Sequence, residues 1–242
     1  MATASRYTIV NARDSKMTVP LTLGLVGPSY SGKTCSAHRL SQGIKKVHGG
    51  PVVYIDTEGG RALEFRKSFD FEHLNMAEPY GSLDYCDAID AALELKPSCI
   101  IIDSLSHEHE GAGGYMDVAS MELERGVKEG SHWAAPSGYR RRLLSKLNTL
   151  PCSSILCMRA KQMLDWKAVF RKQSKQPTEM GYGPIGGSEF VFMMTARFLL
   201  VPEPPRSKLK GAPVWESDMK AEVETMKLGP FGDLFAERRQ LS

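Results

Sequence analysis

Short apolar runs alternate with stretches of helical periodicity along the first two thirds of the chain. The apolar runs cover residues 21–26, 52–55, 99–102 and 155–158. Four stretches between or beside them predict helices, over residues 33–47, 61–69, 83–95 and 139–150. This alternation is typical of a mostly parallel sheet with helices on both faces, the α/β class. Because polar or glycine-containing segments follow the runs, we expect the chemistry at the carboxyl ends of the strands.

The last third has a different pattern. Residues 190–201 form a long apolar run that predicts a strand, and a link rich in proline and lysine over 202–211 leads to a possible second strand at 213–216. Together they predict a C-terminal β-hairpin that extends the sheet. Two glycine-rich segments, 111–114 and 173–187, predict loops.

The composition is that of an ordinary globular protein: 242 residues, of which 42% are hydrophobic and 24% charged. We expect a single domain over 1–242, with its core at about 20–200 and the hairpin and tail at 201–242. An apolar stretch of the roughly 20 residues that cross a bilayer is missing, and residues 1–20 lack the apolar centre of a signal peptide. Five cysteines without a CxxC spacing suggest reduced thiols. We therefore expect a cytoplasmic protein that does not bind membranes.

A glycine-rich loop carries the most specific signal in the chain. Residues 27–34 read G-x-x-x-x-G-K-T, directly after an apolar strand and at the start of a helix. Such a loop turns its backbone N–H groups toward phosphate oxygens, the lysine reaches the outer phosphates, and the threonine hydroxyl ligates Mg²⁺. The predicted nucleotide-binding residues are Gly27, Pro28, Ser29, Tyr30, Ser31, Gly32, Lys33, Thr34 and Cys35.

Two further strands end in acidic residues. Asp103 follows the apolar run 99–102 and is the predicted second anchor for Mg²⁺, together with Thr34. Glu58 follows the run 52–55 and is the predicted base that orients and deprotonates a water molecule for phosphate hydrolysis. The alternative for Asp56 and Glu58 is that they only cap the next helix.

These segments resemble a known family. The loop at 27–34, the sequence IDTEGGRA at 55–62 and the sequence IDSLSHE at 102–108 resemble the RecA-like ATPases. More narrowly, they are similar to the small phage-encoded, single-domain RecA-like ATPases associated with single-strand annealing recombination. The resemblance implies a RecA-like P-loop NTPase core, ATP and Mg²⁺ as cofactors, and Glu58 as the catalytic base.

The same resemblance implies further residues and partners. A polar residue after the strand at 155–158 senses the terminal phosphate in that family; we favour Lys161 or Gln162, with Arg159 next, and expect Lys33 to act with them in catalysis. The implied partners are single-stranded DNA, an annealing or single-strand-binding protein, and further copies of the chain. The implied location is the cytoplasm of a bacterial host. A neighbouring copy could supply a cation, for which Arg197 and the link 206–210 are candidates.

A basic segment is the candidate DNA-binding region. Residues 139–175 contain ten basic residues and one acidic residue, a charge of +9, whereas the whole chain carries +3. The predicted DNA-binding residues are Lys167, Arg171, Lys172 and Lys175, with Trp166 and Phe170 available to stack on bases. The resemblance implies DNA-binding loops at 106–130 and 167–187. The alternative is a helix with a solvated basic face.

Other functions are less well supported by the sequence. Residues 107–110 read HEHE but lack H-E-x-x-H spacing, so a role for His107 or Glu108 near Mg²⁺ or water is favoured over a separate metal site. A P-loop kinase that uses Glu58 to bind an acceptor hydroxyl and 140–142 as a lid is the alternative enzyme. A nucleotide-gated binding module with little turnover is the alternative that is not an enzyme. The chain lacks an N/T-K-x-D guanine motif, which favours ATP over GTP.

Overall fold

The computed structural model describes residues 11, 13, 19–165, 178–202, 221–227 and 239–240. Its elements alternate as the sequence predicts. The strands are β1 (Thr22–Gly27), β2 (Val52–Asp56), β3 (Glu72–Asn75), β4 (Cys99–Asp103), β5 (Ser153–Asp165), β6 (Thr178–Pro184), β7 (Ala196–Pro202), β8 (Ala221–Lys227) and β9 (Arg239–Gln240). The α-helices are α1 (Lys33–His48), α2 (Ser82–Leu93), α3 (Ser106–Glu110), α4 (Tyr115–Glu124), α5 (Ala134–Asn148) and α6 (Ser188–Met193). Short 3-10 helices cover Arg61–Phe65 and Ser131–Trp133.

The strands form one sheet in the order β3-β2-β4-β5-β1-β7-β8-β9, and β6 pairs with β5. From β3 to β7 every neighbouring pair is parallel, while β8, β9 and β6 pair antiparallel with their neighbours. Strand β5 lies between β1 and β4, although it follows both in the chain. The predicted α/β class and antiparallel C-terminal extension are therefore confirmed.

The sheet has an apolar core on each face. One core joins Leu25, Tyr54 and Ile101 to Ala37 of α1. The other joins the alternate strand residues, such as Ile102, to Ile89 of α2 and Leu143 of α5. Strands buried on both faces read as continuous apolar runs, which explains why these strands were visible in the sequence.

Several elements differ from the sequence prediction. The helix predicted over 61–69 is a 3-10 helix that ends at Phe65. Gly59 and Gly60, with φ of +71° and +88°, turn the chain before it, and the rings of Phe65 and Phe69 both pack against His38. The predicted strand 190–201 is helix α6 followed by β7. A continuous apolar run is compatible with either element, and here both Phe190 and Met194 are fully buried.

The remaining differences concern two predicted loops, the start of one helix and the position of the C-terminal strand. The segment 106–130, implied as a DNA-binding loop, contains helices α3 and α4, and the loop predicted at 111–114 is the turn that joins them. The loop predicted at 173–187 contains β6. Helix α5 begins five residues before the predicted helix, with Pro136 in its first turn, where the missing N–H costs no helical hydrogen bond. The strand predicted at 213–216 lies outside the described residues, and β8 is the strand that pairs with β7.

Candidate functional site

The glycine-rich loop joins β1 to α1 at the carboxyl edge of the sheet. A Cβ atom on Gly27 would lie 2.5 Å from the carbonyl oxygen of Leu200 and 2.4 Å from the hydroxyl of Ser31, so only glycine fits there. Tyr30 and Gly32 have φ of +63° and +83°, which curls the loop. The hydroxyl of Ser31 is buried inside the loop and has no hydrogen-bond partner among the described residues. A buried unpaired hydroxyl at this position indicates that the loop is shaped for a polar ligand.

Lys33 folds back over this loop. Its Nζ donates hydrogen bonds to the carbonyl oxygens of Gly27 at 3.0 Å and Pro28 at 2.8 Å. Burial lowers the pKa of Lys33, and the nearby Asp103 carboxylate opposes that effect. The ammonium group is therefore held at the loop by weak neutral acceptors, which an anionic ligand can replace.

Thr34 and Asp103 meet although 69 residues separate them. The Thr34 hydroxyl donates a 2.8 Å hydrogen bond to Oδ2 of Asp103. Strand β4 delivers the carboxylate and the first turn of α1 delivers the hydroxyl. Asp103 is 5% exposed; burial raises its pKa, and hydrogen bonds from Tyr54 and Thr34 act in the opposite direction. A hydroxyl and a carboxylate side by side form the hard oxygen donor set that Mg²⁺ prefers.

Glu58 lies at the end of β2 between two arginines. Arg159 donates to its Oε1 from Nε at 3.2 Å and from Nη2 at 2.8 Å, and Arg61 donates to its Oε2 at 3.1 Å. Burial acts to raise the pKa of Glu58, but the hydrogen bonds and charge of Arg159, with the charge of Arg61, outweigh it and lower that pKa. Glu58 is therefore an ionised carboxylate in this state.

Asp56 has a structural role, as the capping alternative predicts. Its Oδ1 accepts the backbone N–H of Glu58 at 2.7 Å, and its Oδ2 accepts that of Ala62 at 3.0 Å. The Nε2 of His73 lies 3.1 Å from Oδ2. Asp56 thus fixes the turn that carries Glu58 to the edge of the sheet, while Glu58 itself faces Arg159.

The three residues predicted as alternatives for a phosphate sensor occupy different places. Arg159 pairs in register with Gly27, one strand away from the loop, and contacts Glu58. Lys161 and Gln162 are exposed and lie further along β5, where that strand pairs with β6 instead of β1. The structure therefore brings Arg159, the less favoured of the three, into the site.

Tyr54 and Thr57 are site residues that the sequence reasoning missed. The hydroxyl of Tyr54 donates a 2.7 Å hydrogen bond to Oδ2 of Asp103. Thr57 Oγ1 accepts the backbone N–H of Ser104 at 2.7 Å and lies 2.8 Å from Nδ1 of His107. The sequence signal for both residues was only their position. Tyr54 lies two residues before Asp56 and therefore on the same face of β2, and Thr57 lies between Asp56 and Glu58.

Of the two residues expected near Mg²⁺ or water, His107 lies beside Thr57, whereas Glu108 belongs to a separate buried cluster. Its carboxylate is fully buried and accepts hydrogen bonds from Arg140 Nη2 at 2.7 Å, Arg140 Nε at 3.0 Å and Ser82 Oγ at 2.6 Å. Arg140 also lies over the ring of Tyr115, 3.6 Å from its centroid. Arg140 is thus a buried structural cation and is not available for the lid that the kinase alternative requires. Within the described ranges, no group of three or more His, Cys, Asp or Glu side chains is placed to hold a metal ion.

The predicted DNA-binding residues Lys167, Arg171, Lys172 and Lys175 lie outside the described residues, as do Trp166, Phe170 and the link 206–210. The base of the hairpin between β5 and β6 is described, and it extends from the strand that carries Arg159. Arg197 pairs with Gly24 of β1, three residues before the loop begins. Among the described helices, none is both long and apolar enough to cross a membrane.

No protein-family model and no curated protein sequence matches the chain. One similar solved structure is that of a KaiC-like protein from the hyperthermophilic archaeon Pyrococcus horikoshii OT3. It is 16% identical, covers 91% of this chain and 81% of its own, and has a TM-score of 0.47. The fold class follows from the chain itself: a mostly parallel α/β sheet in the order β3-β2-β4-β5-β1, with the G-x-x-x-x-G-K-T loop between β1 and α1, has the strand–loop–helix arrangement of a P-loop nucleotide-binding fold.

Proposed function

We propose that this protein is a Mg²⁺-dependent ATPase that acts on single-stranded DNA in recombination or replication. The observation that carries the ATPase part is the 2.8 Å hydrogen bond between Thr34 and Asp103 at the mouth of the glycine-rich loop. This bond joins a hydroxyl in the first turn of α1 to a carboxylate at the end of β4, which β5 separates from β1 in the sheet. Lys33 and Glu58 lie at the same edge of the sheet.

The residues at this edge fit a nucleotide with its metal ion. The loop N–H groups, the N-terminus of α1 and the hydroxyl of Ser31 can receive phosphate oxygens. Thr34 and Asp103 would hold Mg²⁺, which supplies charge neutralisation of the phosphates when bound. Lys33 would exchange the two loop carbonyls for an outer phosphate. ATP is favoured over GTP because the sequence has no N/T-K-x-D motif.

Glu58 is the group that would act on the attacking water. Its carboxylate is ionised, so it can accept a proton from a water molecule that it orients in line with the terminal phosphate. In the described state both oxygens are engaged by arginines. Release of Oε1 by Arg159 would leave that oxygen to accept the proton and would let the guanidinium approach the terminal phosphate.

The ATPase proposal is tested by Mg²⁺-dependent ATP turnover of the purified protein beside Lys33→Ala, Asp103→Asn and Glu58→Gln variants. We expect Lys33→Ala and Asp103→Asn to lose turnover with weakened nucleotide binding. Glu58→Gln should lose about 100-fold or more in turnover while it still binds ATP. Full activity of Glu58→Gln would show that another residue is the base, and absence of ATP binding by the wild type would refute the ATPase assignment.

The DNA part of the proposal is supported by charge. Residues 139–175 carry +9 in a chain of +3, and this segment includes β5, the strand that carries Arg159 and forms a hairpin with β6. A face that binds a phosphate backbone needs such a local excess of cations. Arg159 and the hairpin share strand β5. DNA bound at the hairpin would therefore change the geometry of the ion pair between Arg159 and Glu58.

Single-stranded DNA titrations at several salt concentrations test this part. An Arg171→Ala/Lys172→Ala/Lys175→Ala variant should bind more weakly and show a shallower salt dependence, by about one unit of log–log slope per lost phosphate contact. An Arg66→Ala/Lys67→Ala/Lys46→Ala variant is the control, because it removes the same charge from exposed positions outside both implied DNA-binding segments. Equal loss in both variants would mean that only bulk charge matters. ATP turnover that DNA does not stimulate would favour a nucleotide-gated binding module.

A further inference from the structure

Tyr54 is a buried side chain with its only polar atom directed at the proposed metal anchor. The residue lies in the middle of β2 and is 1% exposed. Its hydroxyl is 2.7 Å from Oδ2 of Asp103, the same oxygen that accepts the hydrogen bond of Thr34. A buried carboxylate needs such donors, because a charge removed from water without hydrogen bonds is costly.

Strand register explains how the two side chains meet. Tyr54 pairs with Ile101 of β4 and Asp56 pairs with Asp103, so Tyr54 and Asp103 are diagonal neighbours on one face of the sheet. A long side chain can bridge that diagonal, whereas a short one cannot. The tyrosine is thus the residue type that places a hydroxyl under Asp103 from this position.

The ring of Tyr54 is held in place by other aromatic rings. His38 of α1 stacks on it with centroids 4.9 Å apart and planes at 23°, and Phe71 lies 5.7 Å away at 50°. His38 is in turn stacked on Phe69 at 5.0 Å. The hydroxyl therefore has little freedom to leave Asp103.

On the basis of the ATPase function proposed above, we infer that Tyr54 is a positioning residue for Mg²⁺: its hydroxyl fixes the orientation of the Asp103 carboxylate. Thr34 also donates to Asp103 but is itself a proposed ligand. Tyr54 is the donor on this oxygen that lies within the core. Hydrogen-bond partners that orient metal ligands change metal affinity by about 10- to 100-fold when they are removed.

The test is Tyr54→Phe, which removes one oxygen and keeps the aromatic packing. The matched control is Tyr85→Phe, since Tyr85 is also fully buried and donates a 2.7 Å hydrogen bond, but to the backbone oxygen of Ser104. Binding of a fluorescent ATP analogue is measured at equilibrium while free Mg²⁺ is varied, so the readout does not depend on turnover. Circular dichroism and thermal unfolding show that both variants are folded.

We expect Tyr54→Phe to raise the half-saturating Mg²⁺ concentration about 10-fold, while nucleotide affinity at saturating Mg²⁺ stays within about 2-fold of the wild type. Tyr85→Phe should leave the Mg²⁺ dependence unchanged. In an Asp103→Asn background, adding Tyr54→Phe should produce no further rise.

An unchanged Mg²⁺ dependence in Tyr54→Phe would overturn the inference, as would an equal rise in Tyr85→Phe or a further rise in the Asp103→Asn background. All of these outcomes leave the ATPase proposal intact, because the wild type still binds the analogue with Mg²⁺. A wild type whose binding ignores Mg²⁺ would overturn the proposed metal site and this inference together.

Discussion

Arg159 and Glu58 form an ion pair that joins the strand beside the glycine-rich loop to the end of β2. The Nη2 and Nε atoms of Arg159 lie 2.8 and 3.2 Å from the same carboxylate oxygen of Glu58, and 101 residues separate the two in the chain. The proposed catalytic base is thus paired with a cation. Its basicity depends on a residue from another strand.

Replacement of Arg159 should change the pH dependence of turnover. The pKa of Glu58 is lowered by Arg159, so in Arg159→Gln it should rise toward its usual range. A carboxylate must be ionised to act as a base, so the acid limb of kcat/KM should move to higher pH in the variant. The measurement is a pH–rate profile of ATP turnover for both proteins.

The stability of Arg159→Gln provides the control for that experiment. The pair is partly exposed, with the Arg159 side chain 35% and the Glu58 side chain 19% accessible. Its loss should therefore cost no more than about 1 kcal/mol in the free energy of unfolding. An acid limb at the same pH in both proteins would contradict the assignment of Glu58 as the base or of Arg159 as its partner.

Gly27→Ala should abolish nucleotide binding because its Cβ would collide with the Leu200 carbonyl oxygen at 2.5 Å. We expect the forced shift of the loop to destabilise the protein by about 1–3 kcal/mol. Gly43→Ala in α1 is the matched control, since a Cβ there meets nothing within 4 Å. It should stabilise the protein by about 0.5–1 kcal/mol. Urea denaturation and a binding titration measure both effects, and normal binding by Gly27→Ala would refute the close fit.

The buried pair of Glu108 and Arg140 should dominate the stability of the region after β4. Removal of one partner leaves an uncompensated buried charge, so Arg140→Ala should cost about 3–5 kcal/mol. Arg125→Ala breaks a pair at 2.8 Å in which the arginine side chain is 70% exposed, and it should cost about 0–1 kcal/mol. Urea denaturation compares the two variants. A similar small loss in both would show that Arg140 is not essential to the packing.

His38 should make the stability fall as the solution is acidified. It is fully buried among Tyr54, Phe65, Phe69 and Phe71, and neither ring nitrogen has a hydrogen-bond partner among the described residues. Burial lowers the pKa of His38 to about 4. The unfolded chain then binds a proton more readily than the folded one below the usual pKa of about 6.5, so stability is lost as the pH falls from about 6.5 to 4.

The expected size of this loss is about 2 kcal/mol between pH 7 and pH 5, and about 3 kcal/mol in full. His38→Phe keeps an aromatic ring and removes the titration. Urea denaturation at both pH values isolates the contribution of His38 as the difference between the two proteins. If the variant loses as much stability on acidification as the wild type, His38 is not the group responsible.

Much of the site could be predicted from the sequence because its parts are local. The loop at 27–34 contains its own glycines, lysine and threonine, and its strand and helix flank it directly. Asp103 and Glu58 follow apolar runs, and parallel strands bring such carboxyl ends to one edge. Sequence spacing alone therefore placed Lys33, Thr34, Asp103 and Glu58 together.

Only the tertiary structure decided which side chains pair within that edge. Strand β5 inserts between β1 and β4, and this order places Arg159, not Lys161 or Gln162, beside Glu58. The diagonal of Tyr54 to Asp103 depends on the register of β2 and β4. The burial of Glu108 depends on α5, which supplies Arg140 from 32 residues away. The pattern of apolar residues in a segment indicates whether it forms a helix or a strand. Strand order and register are instead fixed by contacts between segments that are distant in the chain.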